Sequence, residues 1–188
     1  RGKFIWWNGP YNTDIAYFAE GMMAEAGREA QVRSIHWLTA GGRACCTLSR
    51  SGEEVFQNCA AYGLYPTAMS GDTLCRLAER YWPLFALWRD KQWVFYPRAL
   101  ELPAGTKGNV YRLPDGNVLA VMVTGGRSMD EPAADLDAPM TIRLPDAGAV
   151  RAVYFLSPDL LGLRRLAFDR DGDGLKVVVP WHRSTSAV

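Results

Sequence analysis

Histidine is scarce in this sequence: 188 residues include two, His36 and His182. Neither supports a Ser-His-Asp arrangement. His36 lies on a helical stripe beside Trp37 and reads as a core histidine. Cysteine is limited to Cys45, Cys46, Cys59 and Cys75. None has C-x-x-C spacing or a histidine close by, so a zinc site is not expected. Buried free thiols are the simplest reading. They fit a reducing compartment, which slightly favours a cytoplasmic location without fixing one. Excess charge of one sign is also missing. A net charge of +1 argues against a nucleic-acid or anionic-membrane surface, because those need clustered Lys and Arg. No apolar run reaches membrane-spanning length. Walker and Rossmann glycine fingerprints are absent. The chain opens Arg1-Gly2-Lys3 without a signal-peptide pattern or an initiating Met. Truncation at both ends is therefore the expectation.

Aromatic residues are plentiful, with seven Trp. Each indole N–H needs a partner when buried, so several Trp are candidates for a binding surface. Up to about residue 90, short apolar runs alternate with helical patterns. The runs are Phe4 to Trp7, Gly21 to Ala24, Ala44 to Leu48 and Leu64 to Met69. The helical patterns cover 11–20, 29–39, the stretch from Ser51 through Tyr62, and 72–89, where Asp72 is the expected cap and Pro83 an expected kink or break. Strand–helix alternation predicts βαβ units around a parallel sheet. Ligands of such sheets sit at the carboxyl ends of the strands. From Lys91 onward, short strands separated by turns predict an antiparallel sandwich. Its clearest unit is the hairpin of 108–113 and 118–124 around Pro114-Asp115-Gly116-Asn117. Further strands are expected at 140–144, 149–156, 163–169 and 175–180, with 184–188 a strand cut short. The fold class is thus α/β followed by all-β, with a boundary at Asp90-Lys91.

Several stretches carry a resemblance: Trp6-Trp7-Asn8-Gly9-Pro10, YFAEGMMAEA over 17–26, FQNCAAYGLYPTAM over 56–69, the 107–122 hairpin and the closing Val177-Val178-Val179-Pro180-Trp181. Together they resemble the C-terminal part of a (β/α)8-barrel glycoside hydrolase with its β-sandwich domain, of α-galactosidase or α-amylase type. The resemblance implies that residues 1–90 are the last four or so βα units of a barrel and that 91–188 are the sandwich. It also implies an oligosaccharide or glycoside substrate and hydrolysis of a glycosidic bond. A complete barrel needs about 200 residues or more. The missing N-terminal half of the same chain is therefore the expected partner, and the present segment alone is expected to be inactive.

Glycosidases place two carboxyl groups on either side of the scissile bond. Glu25, closing the second run, is the catalytic candidate. Asp14 and Glu20 read as cap and surface residues, and Glu53 and Glu54 as first-turn carboxylates that the helix dipole accounts for. Trp6, Trp7, Tyr11 and Tyr65 are candidate sugar platforms, and Asn8 and Arg50 candidate partners for sugar hydroxyls. Adjacent Trp6 and Trp7 point to opposite faces of a strand. No cofactor and no metal are expected. The run Asp169-Arg170-Asp171-Gly172-Asp173-Gly174 opens like a calcium loop, but Pro180 stands where the bidentate Glu is required, so a polar hairpin is the better reading. Two rivals remain: a non-catalytic carbohydrate-binding or structural sandwich module, and a flavodoxin-like open α/β protein with an appended sheet.

Overall fold

The computed structural model describes residues 6–8, 18–24, 29–48, 52–67, 71–128 and 136–188. Strands β1 (Trp6–Asn8), β2 (Gly21–Ala24), β3 (Ala44–Leu48) and β4 (Tyr65–Thr67) form a parallel sheet in chain order, β1-β2-β3-β4. Helix α1 (Glu29–Ile35) runs into a 3-10 turn, His36–Gly41, between β2 and β3. Helix α2 (Gly52–Tyr62) joins β3 to β4, and α3 (Asp72–Leu87) follows β4. The helix expected over 11–20 lies almost wholly outside the described residues, as does the hydroxyl cap expected at Ser51. Pro66 sits in β4, an edge strand of the described sheet, where a missing backbone donor is tolerated.

One expectation about α3 is corrected, and of the kink or break expected at Pro83 the break is set aside. Its N-cap is Gly71, with no side-chain capping bond, and Asp72 is instead the acid of the first turn. The helix also continues through Pro83. A proline there removes one backbone bond. Tyr81, Leu84 and Phe85 are buried on either side of it, so tertiary packing holds the turn that the proline weakens.

Helix α2 is closed by Gly63 at φ 71°, with the Leu64 N–H donating to Cys59 O at 3.0 Å. This is a Schellman closure, which favours a residue without Cβ. A Cβ on Gly63 would also lie 2.7 Å from the Tyr111 ring and 2.8 Å from Lys91 Cε.

The rest of the chain is antiparallel. One six-stranded sheet contains β5 (Gln92–Trp93), β7 (Thr106–Arg112), β8 (Val118–Thr124), β10 (Val153–Ser157), β11 (Leu160–Leu166) and β14 (Thr185–Ala187), ordered β11-β10-β14-β8-β7-β5. A four-stranded sheet contains β6 (Leu100–Glu101), β9 (Leu136–Arg143), β12 (Phe168–Asp171) and β13 (Gly174–His182), ordered β12-β13-β9-β6. More residues lie in strands than in helices. The expected strand 163–169 is divided between β11 and β12, which belong to different sheets. The acidic run 169–174 is the β12–β13 hairpin, with Asp171 paired to Lys176 at 2.8 Å and Asp173 to Arg143 at 3.3 Å. Strand β14 lies between β10 and β8 rather than at an edge, and Val188 exchanges two backbone bonds with Ala120.

Strand alternation divides β7 and β8 between two cores. Tyr111, Leu119, Val121 and Val123 face a core shared with Met22, Ala24, Cys45 and the helices. Val110, Ala120 and Met122 face a second core shared with Met140, Ile142 and Leu175 of the four-stranded sheet. The six-stranded sheet is therefore covered on both faces here, which accounts for the unbroken apolar run of β8. Gly108 of β7 admits close strand contact, since a Cβ there would fall 1.7 Å from Val121 O.

Helix α2 carries the join. From Val55 to Tyr62 every residue is buried, polar Gln57 and Asn58 included. Buried amides need partners. The Gln57 Nε2–H donates to Arg127 O at 2.6 Å, and Lys107 Nζ donates to Asn58 Oδ1 at 2.7 Å. Tyr111 and Asn109 both donate to Ala61 O, at 3.1 and 2.8 Å. Three of the four thiols are buried, while Cys75 is exposed, against the expectation that all four are inside.

Candidate functional site

Because β1 to β4 run parallel, their carboxyl ends at Asn8, Ala24, Leu48 and Thr67 lie along one edge. The segments that follow carry Tyr11, Glu25 and Arg50, which lie outside the described residues. Register puts Asn8, Met23, Cys46 and Tyr65 in one row across the sheet. Trp7 shares a row with Met22 and Cys45, and Trp6 shares one with Gly21 and Ala44. The backbone thus aligns Asn8 with Tyr65, and sets Trp6 and Trp7 in the two rows toward the amino ends.

Tyr65 opens β4 and is half-buried. Its hydroxyl donates to Trp88 O at 3.1 Å, and its ring meets those of Phe85 and Trp88 at centroid distances of 6.3 Å. Burial, aided by the nearby Asp90 charge, pushes its phenol up to about 12. Beside it lies a cavity of about 480 Å³, walled by Gly42, Arg43 and Ala44 at the start of β3, by Tyr65, by Trp82 and Phe85 of α3, and by Arg89 to Lys91.

Lys91 is 4% exposed. Its ammonium stands 4.7 Å from the ring centroids of Tyr65 and Trp88 and 5.9 Å from that of Tyr111. Cation–π attraction of this kind replaces part of the lost hydration. Among the described residues no carboxylate pairs with it: Asp90 pairs with Arg89 instead, at 3.6 Å. Burial lowers the Lys91 amine to about 8. The surroundings of Lys91 were not legible in sequence, because its rings come from β4, the C-cap of α3 and β7.

On the opposite side of α2's length, Glu53 in the first turn gathers donors from four places. Tyr81 Oη–H and Ser184 Oγ–H each donate to Oε1 at 3.1 Å, Gln57 Nε2–H to Oε1 at 3.3 Å, and Ser128 Oγ–H to Oε2 at 3.0 Å. The helix dipole assigned to Glu53 from sequence is one part of its setting; the donors are the other. Nearby Asp159 accepts from Ser157 Oγ at 3.2 Å, and burial, with the Glu53 charge among the further causes, raises its carboxyl. The arrangement ties α2, α3 and the 184–185 segment together.

The histidines behave as core residues. His36 Nδ1–H donates to Tyr62 O at 2.6 Å, and its ring packs at a tilt against Trp93 with centroids 3.9 Å apart. His182 is bound by Thr124 and Ser186, each at 2.8 Å. Burial lowers both to about 4, so both are neutral near pH 7. Among the described residues no group of three or more His, Cys, Asp or Glu side chains is disposed to hold a metal ion, and no helix is long and apolar enough to cross a membrane.

No protein-family model matches the chain, and no curated protein matches it. Among solved structures, the fold is similar to the crystal structure of a Paenibacillus sp. cycloisomaltooligosaccharide glucanotransferase complexed with cycloisomaltoheptaose. The likeness has a TM-score of 0.55 at 13% identity, over 70% of this chain and 25% of that one. This chain thus spans about a quarter of the length of that enzyme. A rhamnosidase from Novosphingobium sp. PP1Y aligns over 89% of this chain and 16% of its own at 10% identity, with a TM-score of 0.31, too low to carry an argument. At these identities the first likeness concerns the fold alone.

Proposed function

We propose that this chain is the C-terminal part of a glycoside-active enzyme, with residues 1–90 the last βα units of a (β/α)8 barrel and 91–188 a β-sandwich. The observation that carries the reading is strand order. Four parallel strands lie side by side in chain order, as barrel walls do. A flavodoxin-like sheet instead reverses direction at a switch point, in the order 2-1-3-4-5. That contrast disfavours the open α/β rival. The fold likeness to a glucanotransferase supports the same choice.

In this reading Glu25, one residue past the end of β2, is a carboxylate of the acid–base pair, and the second belongs to barrel strands outside this segment. Trp6, Trp7, Tyr11 and Tyr65 contact sugar rings, and Asn8 and Arg50 sugar hydroxyls. The substrate is an oligosaccharide or glycoside, and no cofactor takes part. The test has two arms. Residues 1–188 are expected to show no turnover of aryl glycosides, and measurable turnover would defeat the division of the site. In the longer protein, Glu25→Gln is expected to lower kcat by roughly a hundredfold or more, and retention of full activity would remove Glu25 from the mechanism.

A binding-module reading has one observation in its favour. Phe95 is 68% exposed and packs at a tilt against Trp93, with ring centroids 4.1 Å apart. Trp93 is itself packed on His36, so Phe95 is the discriminating probe. Oligosaccharide binding that survives Glu25→Gln but not Phe95→Ala would favour the module.

A further inference from the structure

The cavity beside Tyr65 has an aromatic wall and is lined by Lys91, a buried amine with no carboxylate partner among the described residues. Nine-tenths or more of Lys91 is out of water, where an uncompensated charge is costly. The other cationic side chains at the cavity are engaged: Arg43 Nη1–H donates to Ala19 O at 2.7 Å, and Arg89 pairs with Asp90. Tyr65 and Trp88 present ring faces to the ammonium but supply no charge. At about 480 Å³, the space lies within the range of small-molecule pockets.

We propose that this cavity is a binding site for a small carboxylate built on a flat ring, with Lys91 as its counter-ion and Tyr65 and Phe85 as its stacking wall. The carboxylate supplies the negative charge that Lys91 lacks, and a flat ring matches the aromatic lining. Arg43, at the start of β3, adds positive potential at the cavity wall. Tyr65 is the one residue the cavity shares with the sugar contacts proposed above; the rest of its lining lies at the amino end of β3, on α3 and at 89–91, so the site stands whether or not the glycosidase reading holds.

Benzoate is the probe, and benzamide, its uncharged counterpart, is the control, both titrated calorimetrically into the 188-residue chain at neutral pH. Benzoate is expected to bind, with benzamide weaker by roughly tenfold or more, as the loss of a charged partner implies. Lys91→Met is expected to weaken benzoate by at least roughly the same factor while leaving the circular dichroism spectrum unchanged. A readout on the unaltered chain covers the case in which the variant misfolds: benzoate, but not benzamide, should slow reductive methylation of Lys91, followed by peptide mass spectrometry. Absence of benzoate binding at millimolar concentration, equal binding of benzamide, or methylation of Lys91 unaffected by benzoate would overturn the proposal.

Discussion

At Lys91 a single side chain ties stability to pH. Burial lowers its amine from 10.5 in the unfolded chain to about 8 in the folded one. Below pH 8 both states are protonated, and the folded state carries the cost of the buried charge. Between about 8 and 10.5 the unfolded chain binds more protons, so this group's contribution to stability rises with pH and then levels off. The rise amounts to about 3 kcal/mol, offset at low pH by cation–π attraction of about 1–2 kcal/mol. Lys91→Met is therefore expected to be more stable than the parent by about 1 kcal/mol at pH 7, with the advantage gone by pH 10. Urea unfolding of both proteins across that range is the check. Taking the difference cancels the titration of Tyr65, Tyr111 and the buried thiols, which are common to both. A variant that is less stable at pH 7 would mean that the ring contacts outweigh desolvation.

Among elements, α2 has the most demanding position. It is buried from Val55 onward, its far end is closed by Gly63, and its first turn is held through Glu53. The Glu53 carboxylate accepts from Tyr81, Ser128, Ser184 and Gln57. Removing it leaves the buried Tyr81 hydroxyl with Thr185 as its remaining partner. Glu53→Ala is expected to cost about 2–3 kcal/mol in chemical denaturation. Its exposed neighbour is the control: Glu54→Ala is expected to change stability by no more than about 0.5 kcal/mol. Equal effects at the two positions would reduce Glu53 to a dipole contact, which is how its sequence position alone reads.

For the whole molecule, the question is whether the change of pattern at Asp90-Lys91 is also a division in stability. The core that contains Phe56, Tyr81 and Trp88 also contains Tyr111, Leu119, Val121 and Leu156. Residues before and after position 90 therefore bury each other's apolar surface. We expect the 188-residue chain to unfold in one calorimetric transition, and residues 91–188 produced alone to expose the helix-facing side of β7 and β8 and lose that cooperativity. Two separate transitions in the intact chain would make the segments independent domains. Wherever the boundary is drawn, it divides two patterns of chain within a shared core.

Local pattern determined a good deal. Ala44 to Leu48 reads as a strand because five residues of small or branched character are bounded by glycine and polar residues. The 106–124 hairpin is legible from Pro-Asp-Gly-Asn, and the stripe Val55, Phe56, Cys59 and Tyr62 from helical spacing. Those signals act over a few residues, the range of backbone preference and side-chain periodicity. The row joining Asn8 to Tyr65, the division of 160–171 between two sheets, the placement of β14 between β10 and β8, and the surroundings of Lys91 and Glu53 were decided only by tertiary structure. Each depends on groups far apart in the chain: Ser184 reaches Glu53 across 131 positions. Periodicity tells which face of an element is apolar, but not which distant face will cover it. Pairing of strands and desolvation of charges arise only when those faces meet.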